Sequence, residues 1–196
     1  ERLRALRNQL RPHFYFNVLN TIACQLRGEG AHRSREMIQR LAELFRRTLD
    51  YTEMDSIPLV QELEFLKEYA TLQTQRHGDE LDVVFSVGSG VDLRTEVPPL
   101  IVQPLLENAI QHGRPDPEHG LKVEVAVHEQ NGRLSVEVAD SGLSQEGVSY
   151  DRPGGRGIAN VRARLAHECG RDARLTIEVR DPHGTVATIE IPPSSL

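Results

Sequence analysis

In the stretch "LRPHFYFNVLN", residues 10–20, a helix-breaking proline stands directly before a histidine, and an asparagine follows one helical turn later. Pro12 has no N–H to donate and its ring collides with the preceding turn, so a helix interior tolerates it badly and a fold alone has no need of it. His13 is a nucleophile: an imidazole with an ordinary pKa of about 6.5 is mostly unprotonated at neutral pH and can attack phosphorus. Counting ~100° per residue, Leu3, Leu6, Leu10, His13 and Asn17 share one side of a helix, while Phe16, Leu19, Ile22, Ala23 and Leu26 share nearly the opposite side. The apolar stripe changes face at Pro12, which presents His13 and Asn17 outward on one polar strip. An amide at Asn17 is placed to orient a water, and helix packing is an equal use for it. Phe14, Tyr15 and Phe16 read as core or partner contacts.

Four later segments carry groups suited to holding a phosphorylated ligand. "LLENAIQHG" sets Asn108 and His112 one turn apart on a helix ended by Gly113, with Glu107 beside them; an amide oxygen is a hard ligand of the kind Mg²⁺ accepts alongside water and phosphate oxygens. A solvent-facing or capping asparagine is the plainer reading of that segment alone. "VEVADSGLS" ends a strand at Asp140, where a carboxylate can accept from an exocyclic amine and Gly142 lets backbone approach a planar ring; a simple Asp-Ser-Gly turn is the alternative. "RPGGRGIANVRARL" runs glycines, including Gly155 and Gly157, into a helix that contains Asn160, an arrangement that offers backbone N–H groups to phosphate. "HGT", with Thr185, sits in a closing strand pair. Each signal is weak singly, and the order in which they occur is what accidents rarely reproduce.

These residues need elements to hold them. Residues 1 to about 27 and 33 to about 52 read as two helices joined by "RGEGAHR", a hairpin whose second helix carries a seam of Ile38, Leu41, Leu44, Phe45 and Leu49. Two helices make a poor core, which predicts pairing with a second copy into a dimeric four-helix bundle. "DYTEMDSIP", residues 50–58, reads as a hinge. A helix follows from Ser56 and Pro58, in period through Leu59, Leu63, Leu66, Tyr69 and Leu72 or Gln73, and stops at Gly78. Strands "LDVVFSV", "GLKVEVAVHEQ" and "GRLSVEVAD" come next, the last two around an Asn-Gly turn. "PPLIVQPLLENAIQHG" reads as a helix begun by its prolines. A helix from "GIANVRARLAHECG" and strands "ARLTIEVRD" and "GTVATIEIP" close the chain. The pattern is α+β: a helical hairpin over residues 1–54, then a two-layer α/β sandwich over residues 55–196.

Composition removes several classes of function. The net charge of −6, from 29 acidic and 23 basic side chains, supplies no broad basic field for nucleic acid or an anionic membrane. Cys24 and Cys169 have neither disulfide-scaffold nor zinc-ligand spacing, which fits a reducing, cytoplasmic setting. The longest apolar run, "VPPLIVQPLL", is about half the ~20 residues a membrane-spanning helix needs. Because the chain opens abruptly on a helical pattern, any membrane anchor is expected upstream.

Taken together, the motifs resemble the catalytic core of LytS-type sensor histidine kinases, over nearly the whole chain. "RPHFYFNVLN" resembles the family's acceptor segment, "VPPLIVQPLLENAIQHG" its Asn box, "DSGLS" its Asp-x-Gly box, "GGRGIANVRARL" its lid glycines and "YATLQTQRHGDEL" the lead into the nucleotide domain. The resemblance implies the GHKL (Bergerat) ATP-binding fold, with ATP and Mg²⁺ as ligands. It assigns His13 as phosphoacceptor, Asn108 to Mg²⁺, His112 to the phosphates, Asp140 and Gly142 to adenine, Gly155 and Gly157 to the lid, and Asn160 and Thr185 to the nucleotide site. Glu107 is the candidate general base. It further implies a homodimer that passes phosphate to the aspartate of a response regulator receiver domain. Ser144 stands where the second glycine of Asp-x-Gly-x-Gly is usual, which keeps open a degenerate module that binds nucleotide or only scaffolds a partner.

Overall fold

The computed structural model describes residues 31–143, 156–180 and 183–193. His13, Asn17, Ser144 and Gly155, together with the first predicted helix and the Pro12 stripe change, lie outside the described residues.

Helix α1, Ala31–Tyr51, buries Met37, Leu41, Leu44, Thr48 and Tyr51, spaced four and three apart and therefore on one face. That face packs on helix α2, Leu59–His77. Tyr51 meets Phe65 with ring centroids 5.9 Å apart, and Arg47 lies 3.6 Å from Glu68. The predicted seam is only half right: Leu41 and Leu44 face α2, whereas Ile38 and Phe45 are 43% and 38% exposed. One broad apolar stripe therefore divides into a face docked on α2 and a second face turned away from it.

Between the two helices, β1 (Ile57–Pro58) pairs antiparallel with β3 (Glu96–Val97), strands too short for a period-2 pattern to reveal. Helix α2 begins after Pro58 and stops at Gly78, whose φ of 62° turns the chain while its N–H bonds to the Thr74 carbonyl. All the predicted periodic residues of α2 are buried. α1 covers part of this helix and the sheet covers another, which explains its wide apolar surface.

Strands β2 (Leu81–Val87), β4 (Leu121–Gln130), β5 (Arg133–Asp140), β6 (Arg174–Val179) and β7 (Thr185–Ile191) form a mixed sheet in the order β2-β4-β5-β7-β6. β2 and β4 run parallel and the other pairs antiparallel. The β4–β5 turn holds Asn131 and Gly132 at φ 54° and 73°, the doubly left-handed geometry that Asn-Gly favours in a hairpin. α2, α3 (Gln103–His112) and α4 (Arg156–Glu168) pack against the sheet. Val123, Val125, Val127, Leu134, Val136, Val138, Ala187 and Ile189 point into this layer, while Lys122, Glu124, Glu137 and Glu190 alternate away from it.

Helix α3 departs from its expected start. Residues 98–102 are not helical, because Leu100 takes φ 56°, and the helix begins at Gln103 with Pro104 in its first turn. The apolar cluster runs without a break from Met37 through Leu66 to Val136, so the described part of residues 1–54 is docked on the sheet domain across the predicted hinge.

Candidate functional site

Asp140 is the last residue of β5, where the strand opens toward the helices. It pairs in register with Thr185 at the start of β7, and Thr185 hydrogen-bonds its carboxylate through both side chain and backbone. The Gly142 N–H also donates to Asp140 Oδ1, at 2.9 Å. Burial raises the Asp140 pKa above the usual carboxylate range, and these hydrogen bonds oppose the rise. The group is an acceptor held in place for a donor.

Glycines permit the backbone to close around it. A Cβ on Gly142 would stand 2.7 Å from Gly113 Cα and 2.8 Å from the Arg114 nitrogen, so the end of β5 lies directly on the end of α3. Leu143 N–H bonds to the Arg114 carbonyl at 3.0 Å and locks that approach. Gly184, which sequence reasoning missed, has φ 104°, and a Cβ there would fall 2.1 Å from the Asp140 carbonyl oxygen. Its signal was present as the glycine of "HGT", one residue before Thr185.

Asp140, Thr185 and Asn108 line one cleft with Leu105, Ala109, Val138, Ile158, Ile177 and Ala187. The cleft is narrow, with apolar walls from α3, α4 and the sheet and polar groups at Asp140, Thr185 and Asn108, and the chemistry of that lining, rather than its width, matches a flat heteroaromatic ring bearing an amine. The apolar lining residues were also missed. Leu105 lies one helical turn from Asn108, and Val138 lies two residues from Asp140, so same-face positions around the two polar anchors contain the signal.

The remaining predicted residues occupy other positions. Glu107 is 1% exposed, receives a 2.9 Å bond from Gln103 Nε2 of its own helix, and does not line the cleft. His112 is exposed at the carboxyl end of α3, and Gly157 and Asn160 occupy the first turns of α4 outside the lining. Among the described residues no group of three or more His, Cys, Asp or Glu converges as a metal site.

Residues 1–81 match the family model of histidine kinases, and residues 95–195 match that of the histidine kinase-, DNA gyrase B- and HSP90-like ATPases. The chain belongs to the histidine kinases. Its relatives include the sensor protein LytS of Bacillus anthracis, 33% identical over 201 residues that cover 97% of this kinase and 34% of that protein. The chain thus spans about a third of the length of the LytS relatives it matches. The histidine kinase domain of the Erythrobacter litoralis EL346 blue-light activated kinase shares the fold, with a TM-score of 0.55 at 22% identity over 93% of this chain and 96% of that one. Histidine kinase ThkA, solved in complex with the response regulator TrrA, aligns with a TM-score of 0.53 at 18% identity over 83% of this chain and 51% of that one. Residues 95–195, which include α3, α4 and four of the five strands of the mixed sheet, therefore belong to a family of ATPases, which implies ATP binding.

Proposed function

We propose that this chain is the catalytic core of a two-component sensor kinase that phosphorylates itself on His13 from ATP and passes the phosphoryl group to an aspartate of a response regulator. The observation that carries the reading is the single cleft in which Asp140, Thr185 and Asn108 meet between apolar walls. Asp140, fixed by Gly142 and Thr185, accepts from the adenine amine, and Leu105, Ala109 and Ile158 enclose the ring faces. Asn108 lines the same cleft one helical turn from Leu105, and motif resemblance assigns it to the phosphate end. Its oxygen suits Mg²⁺, which when bound supplies charge neutralisation at the phosphates.

In the transfer step an unprotonated ring nitrogen of His13 forms a bond to the γ-phosphorus. The bond from that phosphorus to its bridging oxygen breaks, ADP leaves with the electron pair, and the ring's other N–H proton passes to solvent or base. Little covalent activation is needed; position and charge are. Glu107, His112, Gly155, Gly157 and Asn160 are assigned with the phosphates, the lid and proton transfer on the strength of motif resemblance. The working division is residues 1–54 for dimerisation and phosphoacceptance and residues 55–196 for ATP. Exposure of Ile38 on the α1 face turned away from α2 supports a bundle with a second copy. The crystallised pairing of ThkA with a response regulator supports the choice of partner. Among the described residues no helix is long and apolar enough to cross a membrane.

Incubation with γ-labelled ATP and Mg²⁺ tests the reading. The expected label is acid-labile, alkali-stable and absent from His13→Gln. Acid-stable label would indicate serine or threonine chemistry, and ATP binding without label would indicate a scaffold.

A further inference from the structure

We infer that Glu62 is a positioning residue for the Asn108 helix: its buried carboxylate, reaching across from α2, holds the backbone amides at the amino-terminal end of α3. The inference rests on the nucleotide site proposed above and adds a residue that none of its motifs contains. Glu62 is 0% exposed. Its Oε2 accepts from the Leu100 N–H at 2.8 Å and its Oε1 from the Val102 N–H at 3.0 Å. The first N–H groups of any helix lack partners within it. Val102, immediately before α3, has a side chain with no acceptor to offer. The cap is therefore delivered by another helix: once ionised, above about pH 7, the carboxylate accepts with both oxygens and its charge suits the positive end of the α3 dipole.

Two further observations make this more than a cap. Leu100 sits at φ 56°, a conformation an L-residue holds only when its surroundings enforce it, and the Glu62 bonds supply that enforcement. On the same turn, the Pro99 carbonyl accepts from Arg164 Nη1 of α4 at 2.9 Å, and Glu168 holds the Arg164 guanidinium at 3.0 and 3.1 Å. The turn at residues 99–102 is gripped by a carboxylate from one helix and a guanidinium from another. Leu59, Leu63 and Leu66 surround position 62 on α2, so an apolar side chain would fill that site at less desolvation cost if packing were the sole requirement. From this clamp α3 runs as one rigid element to Leu105, Asn108 and Ala109 in the cleft. The end of α3 is fixed independently, by the Gly113–Gly142 contact. Releasing the Glu62 end should therefore tilt Asn108 and leave Asp140, on β5, where it is.

Glu62→Gln keeps the shape but presents an N–H₂ group where a carboxylate oxygen accepted. The test measures ADP affinity with and without Mg²⁺, and the rate and KM of His13 labelling, in wild type and variant. Metal-free ADP affinity is expected to stay within about threefold, because Asp140 and Thr185 are undisturbed. The Mg²⁺-dependent gain in affinity and the labelling kcat are expected to fall about tenfold or more, within the roughly hundredfold that a misplacement of about 1 Å can cost. Glu62→Asp, which keeps the charge but withdraws it by a methylene, should move the same two quantities. A variant that melts lower yet keeps the wild-type Mg²⁺ dependence and kcat, or loss of the fold in both variants, assigns Glu62 to stability alone and overturns the inference. A wild-type protein with no Mg²⁺-dependent nucleotide binding overturns the proposed function itself.

Discussion

At the scale of single residues, the site depends on contacts that no other side chain can reproduce. Gly184 is the sharpest case, since a methyl group there would occupy the Asp140 carbonyl. Gly184→Ala combines that clash with an unfavourable φ and should destabilise the domain by about 2–4 kcal/mol, read by urea unfolding. Its nucleotide affinity should fall as well, because any relief of the clash moves Asp140. Glu62 gives a pH prediction. Burial raises its pKa from 4.5 to about 7, against the opposing pull of the Leu100 and Val102 amides and of Arg164, and Tyr51 also lies within its field. The folded state therefore holds a proton that the unfolded chain has already released. The contribution to stability is complete below about pH 4.5 and is lost as pH rises toward 7, by roughly 3 kcal/mol. Unfolding measured at pH 5 and pH 8 should show that decline in wild type and a flatter profile in Glu62→Gln.

At the scale of elements, periodicity and turn chemistry carried most of the architecture. Leu59, Leu63, Leu66 and Tyr69 announce α2, Gly78 its end, and Asn131-Gly132 the β4–β5 hairpin, because each signal is local and physically obligatory. What escaped the sequence is long-range. The α3 start was misplaced because the left-handed Leu100 is held by a carboxylate 38 positions away, which no local propensity encodes. The α1 seam was misassigned because Met37 and Ile38 are adjacent and both apolar, and only the position of α2 selects Met37 for burial. Asp140, Asn108 and Thr185 were legible as motif anchors, while Glu62 and the apolar walls of the cleft were not. The α1–α2 contact gives its own prediction: Leu44, 1% exposed, should cost about 2–4 kcal/mol when truncated to alanine. Proteolysis within α1 should then become faster, with the nucleotide cleft, built from other elements, intact.

At the scale of the whole molecule, the sheet, α3 and α4 form the proposed nucleotide holder, and in chain order α1 follows the segment that contains His13. α1 is continuous with the core of the sheet domain, so the described chain carries α1 and the cleft of Asp140, Thr185 and Asn108 on one body. The central claim is that the cleft selects adenine through Asp140, and the most direct measurement is competitive titration of ATP against inosine triphosphate, in which the adenine amine is replaced by a carbonyl oxygen. A carboxylate hydrogen bond is worth about 1.5–3 kcal/mol, so wild type should prefer ATP by about tenfold or more, and Asp140→Asn should narrow or reverse the preference. Equal affinity for the two nucleotides in wild type, or a preference unchanged by Asp140→Asn, would contradict the account.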